Sequence, residues 1–480
     1  MSQYDLRAWL SRASDAGLLL RLDGADRDLE IGAASQLNYR RDAPQALLFD
    51  DIKGYPPGYR VLTGSMAGPA SLGLALGLGP GLDDAALVTR LRGLPAQWLA
   101  AAGDFTPVTA TDAPVLANVV RDGIDLERFP SPLWHEEDGG RYIGTGCAVI
   151  TRDPSTGSIN MGAYRMQVQD DGASTTINIE QGKHGAQHVR EWFAREKRAP
   201  VAVSLGHHPV FLLVAGTEVP RGVSELDYAG AILGEPVGVV PGEVTGLPFP
   251  AESEIVIEGW LTPGETRPEG PFGEWTGYYS GGVTPVLTLR PERLYFRDDP
   301  ILLGAPPGKP PHDYSYMRSV MKSAMITSAL EATGLPGLHG VWAHEAGGGR
   351  SLIIVALEQQ YAGHSRQAGY LAAQHPSAAY MNRIVITVDA DINPRRLDEV
   401  MWAASTRCDP GTDIEIMRQT WGSRVDPLYT GGPRYNSRVL IDACTPYERL
   451  DSFPPVATAS AASLSAVAQR WPQLGGVTNQ

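Results

Sequence analysis

The chain has 480 residues and a formal net charge of −14, which is too long for one ordinary core and implies two or three domains. Lys and Arg are scattered singly, which excludes a nucleic acid or an anionic membrane surface as main partner, and no stretch reaches the roughly 18 uncharged apolar residues of a spanning helix. Cys147, Cys408 and Cys444 lie too far apart for a disulfide framework or a thiolate metal site, and a reducing, cytoplasmic setting is expected.

In chain order, Leu6, Trp9, Leu10 and Ala13 recur at helical spacing, and Gly17 stops the pattern before the apolar LLLRL, so helix, turn and strand are predicted. No secretory signal is read in this charged, amphipathic start. The Gly-rich run at 72–82 suits a buried turn or a helix start. A helix is predicted over Asp83 to Ala102, broken by Pro95. This opening region reads as a small α/β unit.

From about Pro114 to Arg297 come the short apolar runs CAVITRD, VAVSLG, PVFLLVAG, SEIVIEGWL and PVLTLRPERLYF, separated by Gly, Pro and Asp. They are predicted as strands of a barrel or sandwich, with one helix, AQHVREWFAREKR, among them. Beyond GAPPGKPPHDYS the pattern alternates: helix (317–333), strand (SLIIVALEQ), helix (364–374), strand (RIVITVDADI), helix (PRRLDEVMWAAS) and strand (DIEIMRQ). That alternation predicts an α/β sandwich. Residues 455–470 read either as a helix docking on a neighbouring subunit or as a loose tail.

The stretch RPEGPFGEWTGYYS places Glu269 and Glu274 on either side of a Gly-Pro-Phe-Gly turn, read as a rigid loop between strands. Beside Trp275, Tyr278 and Tyr279 a carboxyl would titrate nearer neutrality and could hand over a proton. A turn cap and a surface ion pair are the structural alternative, and a glycosidase pair the other chemical one. Upstream, INMGAYRMQVQDD presents Arg165 either as a two-pronged carboxylate clamp or as a strand arginine with a structural partner. In NIEQGKHGAQHVREW, Lys183 and His184 precede a predicted helix start that suits phosphate, with His188 in its first turn. Glu225 alone reads as an exposed loop residue. Asn160, His188 and Glu225 have no metal-motif spacing, although an O/N/O set, if assembled, suits Mn²⁺ or Mg²⁺.

The blocks NMGAYRMQV, GVSELDYAGAILGEPV, SEIVIEGWLTPGETRPEGPFGEWTGYY, QQYAGHSRQ and VDADINPRRLDEVMWAASTRCDP, taken in order from about 110 to 445, resemble the UbiD family of prenylated-FMN-dependent aromatic acid decarboxylases. The resemblance implies a multi-domain α/β protein. Its parts would be a small amino-terminal α/β region (1–112), a central flavin-binding split β-barrel (113–305), a carboxy-terminal α/β sandwich for oligomerisation (306–450) and a terminal helix or tail (451–480). It implies that Arg165 orients the substrate carboxylate, Glu269 braces Arg165 and Glu274 donates the proton once CO₂ has left. It further implies that Asn160, His188 and Glu225 hold a divalent cation, usually manganese, against the cofactor phosphate. Met161, Gly162, Ala163, Tyr164, Lys183, His184 and Gln187 would line the flavin alongside Asn160, Arg165, His188 and Glu225, and the resemblance also implies a K⁺ held by backbone oxygens.

By rough alignment the substrate pocket takes His184, Gln187, Trp275, Met317, Arg318, Tyr380 and part of RVDPLYTGG, and the expected substrate is an aromatic or heteroaromatic acid. Ser377 stands where some relatives carry a phosphate-side lysine, so neutralising the phosphate would fall to Lys183 or the metal. The family also implies a flavin prenyltransferase as cofactor supplier and a homodimer or homohexamer. An accessory subunit of a larger carboxylase is the alternative.

Overall fold

The computed structural model describes residues 4–217 and 219–474. The predicted first helix is Leu6–Asp15, and its buried face is Leu6, Trp9, Leu10 and Ala13 as the spacing requires. Asp5 starts it by accepting the Arg7 N–H at 2.9 Å. The strand that follows, Leu19–Asp23, runs parallel to Ala46–Asp50, and Arg60–Thr63 and Ile301–Leu303 complete a four-stranded sheet. The last of these returns from far along the chain, a pairing no local pattern announces.

Two local readings are corrected here. The helix expected over Asp83 to Ala102 is two helices, Asp84–Leu91 and Leu94–Ala101. The break falls at Gly93, whose φ is +76°, while Pro95 sits in the first turn of the second helix, where a missing N–H costs nothing. Of the two readings of the 72–82 run the turn holds and the helix start does not: the run closes Pro69–Ala75 and turns through Gly77 and Gly79, both at positive φ.

The central sheet has seven strands. Its path runs Thr175–Thr176, Thr284–Phe296, Ile255–Glu269, Ala199–Leu205, Cys147–Arg152 and Ile159–Gly162, with Asn118–Val120 also on Thr284–Phe296. All its pairings are antiparallel. PVFLLVAG is not a strand but the helix Pro209–Ala215. Every residue from Pro209 to Val214 is buried, so the run carries no periodicity that could tell helix from strand. His208 decides it locally: its ring accepts the Val210 N–H at 3.3 Å, and Pro209 occupies the first helical position. The helix predicted near 186 begins slightly earlier, His184–Glu196.

The third layer opens with the helix Asp313–Ala332, which starts before the expected 317. Its five-stranded sheet has the order Leu338–Ala343, Leu352–Leu357, Ile384–Asp389, Tyr435–Ala443, Ile414–Trp421. Alternation along the strands feeds two cores. Ile353, Val355 and Val385 pack with Ala368 and Ala372 of His364–Gln374, whereas Ile354, Ile386 and Val388 pack with Val400 and Ala403 of Leu397–Arg407. That two-sided burial makes the predicted sandwich. Near the carboxyl end the helix Ala461–Arg470 buries none of its residues, and 475–480 lie outside the described residues. Among the described residues no helix is long and apolar enough to cross a membrane.

Asp313 ties this helix to the amino-terminal sheet. Fully buried, it accepts the N–H groups of Gly64 (2.9 Å) and Met66 (3.1 Å) and the Tyr39 hydroxyl (3.1 Å). Asp313→Ala would leave three buried donors unmatched and should cost about 3 kcal/mol in urea denaturation. Burial, partly offset by those donors, pushes its carboxyl from 3.8 up to about 6. The folded state therefore holds that proton more tightly, so stability should fall as pH rises across this window, and Asp313→Asn should flatten the slope.

Candidate functional site

Arg165 lies just past the strand Ile159–Gly162, where the chain turns through Ala163 and Tyr164. Glu269 is the last residue of Ile255–Glu269, paired with Thr284 and wholly buried. Its two oxygens take four donors: Arg165 Nε at 2.7 Å and Nη2 at 3.0 Å, the Tyr142 hydroxyl at 3.0 Å and Asn178 Nδ2 at 2.9 Å. The guanidinium's remaining edge gives Nη1 to Glu274 Oε1 at 2.6 Å, and its plane rests 5.3 Å from the Phe272 ring. Three residues distant in sequence thus form one acid–arginine–acid line, with a bidentate pair on one side and a single contact on the other.

Burial alone would lower the Arg165 pKa, but Glu269 and Glu274 more than offset it and the guanidinium stays charged. Glu274 shifts the other way from an ordinary carboxyl: burial raises it, against the pull of Arg165. The apolar wall responsible is not the whole aromatic run expected from sequence. Tyr278 and Tyr279 are exposed, whereas Phe272 is buried and packs against Tyr142 with ring centroids 4.0 Å apart and planes tilted by 35°.

The turn between the acids is held from below. Gly270 has φ +94°, and the Gly270–Pro271 bond is cis. The Pro271 carbonyl accepts the Gly139 N–H at 2.7 Å, and Gln167 accepts the Gly270 N–H at 3.1 Å. A side chain on Gly139 would fall 1.9 Å from the Gly270 carbonyl oxygen, so this close approach requires glycine. Glu274 then closes its own short loop, its N–H bonded to the Tyr278 carbonyl at 3.0 Å.

A second cluster assembles around the same strand. Asn160 pairs in register with Thr151, whose hydroxyl meets His188 Nδ1 at 3.1 Å. On the other side, Glu225 Oε2 accepts the N–H of Met161 at 2.7 Å. Contrary to the exposed-loop reading, Glu225 is buried at the first position of the helix Glu225–Leu233, and burial pushes it up to about 7. Burial lowers the His188 pKa, favouring the neutral ring. His188 lies in the second turn of its helix, not the first, because the helix begins at His184. The Asn160 side chain lies near Tyr164, yet its buried amide nitrogen reaches no acceptor at bonding geometry. Oxygen, imidazole nitrogen and carboxylate donors around one strand are a hard-cation set, with a neutral ring as ligation requires. Among the described residues, no three His, Cys, Asp or Glu side chains gather as a metal site, and this trio escapes that pattern because one member is an amide.

Both clusters open on one cavity of about 570 Å³ between the central and third layers. Asn160, Met161, Gly162, Ala163, Tyr164 and Arg165 form one wall, with Glu225, Lys183 and His184 beside it. The helix His184–Glu196 starts here without a side-chain cap, leaving N–H groups for an anion. Of the expected pocket residues, Trp275, Arg318, Tyr380 and His184 line the cavity. Gln187 lines a smaller neighbouring cavity of about 100 Å³ together with Asn160, His184 and His188. Met317 does not line it: one step along the helix from Arg318, it faces the core and is buried. From the RVDPLYTGG segment, Arg424 and Val425 line it. Ser377 is not among the lining residues; its carbonyl instead accepts the Lys322 ammonium. Sequence reasoning missed Tyr142, Arg350, Trp421 and Arg434, which stand outside the motif blocks, and gave Phe272, inside the glutamate block, no part in the site.

Comparison with known proteins places this geometry. Three family profiles match in series: the 3-octaprenyl-4-hydroxybenzoate carboxy-lyase amino-terminal domain over 10–91, its Rift-related domain over 106–310 and its carboxy-terminal domain over 315–443. The chain is 35% identical over 406 residues to a pyrrole-2-carboxylic acid decarboxylase of Pseudomonas aeruginosa, covering 80% of this chain and 79% of that protein. It is 30% identical over 457 residues to a phenolic acid decarboxylase of Streptomyces sp. strain D7, covering 93% of each. In structure it is similar to the UbiD-class enzyme HmfF of Pelotomaculum thermopropionicum, solved in complex with FMN (TM-score 0.83, 27% identity, 96% of this chain and 100% of that one). An evolved dimeric form of HmfF, solved with prFMN, matches at TM-score 0.79 and 27% identity over 96% of this chain and 99% of that one. With all three domain profiles satisfied in order and a 30% identical decarboxylase aligned over nearly the whole length, the chain belongs to the UbiD family of carboxy-lyases.

Proposed function

We propose that this protein reversibly decarboxylates an aromatic or heteroaromatic acid with prenylated FMN seated in the 570 Å³ cavity. The observation that carries the reading is the Arg165–Glu274 pair on the cavity wall, braced from behind by the buried Glu269, with Asn160 and Glu225 on the same wall and His188 on the smaller cavity beside it. When bound, the modified flavin supplies the electron sink that loss of CO₂ from an sp² carbon demands.

The chain's own residues do the rest. Glu269 holds the guanidinium by two parallel hydrogen bonds, which fixes the direction in which Arg165 presents its Nη1 end, bonded here to Glu274, to a substrate carboxylate. Glu274, whose carboxyl burial raises above its ordinary value against the pull of Arg165, delivers a proton to the carbon that CO₂ leaves and takes it back in the carboxylation direction. Asn160, His188 and Glu225 would hold Mn²⁺ or Mg²⁺, whose charge neutralises the flavin phosphate and keeps Glu225 ionised despite its burial. Lys183 and the uncapped helix start are placed to help.

The decisive experiment co-produces the chain with a flavin prenyltransferase and incubates it with CO₂, D₂O and a panel of aromatic acids and their decarboxylated products. Exchange of the ring proton at the former carboxyl position, read by NMR, is expected for at least one pair, whichever direction the cell uses. A flavin-loaded protein that exchanges none would overturn the reading. Activity appearing only after a partner protein is added would instead establish the accessory-subunit role.

A further inference from the structure

The ladder between the two long strands of the central sheet ends at the Glu269–Thr284 pair, so Glu274 sits in a connection, residues 270–283, that this strand pairing does not hold. A group that hands a proton to one particular atom must nevertheless be fixed. What fixes it has to come from other parts of the chain.

Two ties are internal. The Glu274 N–H reaches the Tyr278 carbonyl at 3.0 Å and the Gly277 N–H reaches the Glu274 carbonyl at 2.8 Å, which closes 274–278 into one small ring. The external ties converge on Asp138, in the turn HEEDGG that precedes the strand Tyr142–Gly144. Its side chain is fully buried. One oxygen accepts the Gly273 N–H at 3.3 Å and the other accepts the His135 N–H at 3.0 Å. The hydroxyl of Tyr279 also bonds to Asp138, beside the Glu137 backbone, although the tyrosine as a whole is exposed. Gly273 immediately precedes Glu274, and Tyr279 immediately follows the residue that closes the ring. A single carboxylate therefore holds the small ring at its entry and at its exit.

A carboxylate suits this place because it only accepts, has room for several donors, and makes charge-assisted bonds with each. An amide would turn two N–H groups toward the same donors. The surroundings leave the loop little slack: a Cβ on Gly273 would lie 3.2 Å from the Pro307 carbonyl oxygen and 3.7 Å from the His135 ring. Gly273 is thus confined between the Asp138 turn and a segment that lines the cavity.

We propose that Asp138 is a positioning residue for the proton transfer: by clasping both ends of the 273–279 loop it sets where the Glu274 carboxyl lies against Arg165. This rests on the reading of Glu274 as proton donor. The competing role is purely local, with Asp138 shaping its own turn through the His135 N–H.

The test uses Asp138→Asn and Tyr279→Phe on flavin-loaded protein. The second variant removes one hydroxyl from an exposed residue and decides the question alone if the buried substitution does not fold. Hydrogen–deuterium exchange followed by mass spectrometry should show the 270–281 segment exchanging about tenfold or more faster in each variant, the scale for losing a hydrogen bond to a charged group, with the strand Ile255–Glu269 unchanged. In CO₂ release, kcat should fall by about tenfold or more in Asp138→Asn and severalfold in Tyr279→Phe, with KM and flavin content unchanged. Neither loss should recur when the same substitution is made in a Glu274→Gln background, because the group being positioned is then gone. Unchanged exchange in the folded variants overturns the proposal. So does a kcat loss of equal size with and without Glu274, which would assign Asp138 to its own turn. Faster loop exchange in a protein that releases CO₂ from no acid would sink the decarboxylase reading and leave the clasp standing.

Discussion

Glu274→Gln is expected to lower turnover by roughly 100- to 10,000-fold, the range for removing a positioned general acid, while leaving flavin content unchanged. Gln keeps an oxygen that can accept from Arg165 Nη1, now at 2.6 Å from Glu274, so the arginine need not move. It cannot release a proton. Burial raises the Glu274 carboxyl above its ordinary value of 4.5, so the protonated form persists where a free glutamate is ionised. Decarboxylation should therefore decline as pH rises through this raised value, and that alkaline limb should disappear from the residual rate of the Gln variant. Stopped-flow measurement of CO₂ release across pH checks both points. A Gln variant with near-wild-type turnover would remove Glu274 from the chemistry.

Glu269 should behave differently because it acts through Arg165. It is fully buried and supplies the bidentate half of the clamp. Removing its charge leaves the largely buried Arg165 with the single contact from Glu274, and breaking a buried pair in this way costs about 3–5 kcal/mol of stability. A guanidinium displaced by about 1 Å costs on the order of 100-fold in rate, so Glu269→Ala should lose both. The combination Arg165→Met with Glu269→Leu separates the two effects. Replacing both charges by apolar groups should restore much of the urea stability, whereas turnover should stay low because no group orients the carboxylate. Restored turnover would show that the pair serves folding alone.

How far these features were legible in the chain differs from residue to residue. The first helix, the sandwich alternation and the long hairpin around the two acids follow from apolar spacing and turn residues, because amphipathic elements write their buried face into the chain. PVFLLVAG defeated that reasoning since a segment buried on all sides has no polar face to set the period. The strands Leu338–Ala343 and Tyr435–Ala443 went unforeseen, and the second lies between two strands that were expected. The glutamate block and the arginine block were conspicuous and the family resemblance joined them, but Glu225 looked like an ordinary loop residue until its helix start was seen buried against Met161.

By itself, the amino-acid sequence determined that this is a multi-domain α/β protein of the carboxy-lyase family, with its acids flanking a stiff glycine-proline turn. Only the tertiary structure decided that Arg165 meets both acids, that Tyr142 and Asn178 complete the shell of Glu269, and that Met317 faces the core while Arg318 faces the cavity. It alone brought Arg350 and Trp421 to the same space. The reason is physical: periodicity encodes which face of an element is buried, but a site is made where faces of different elements meet. That meeting is set by sheet register and packing across residues that are far apart in the chain.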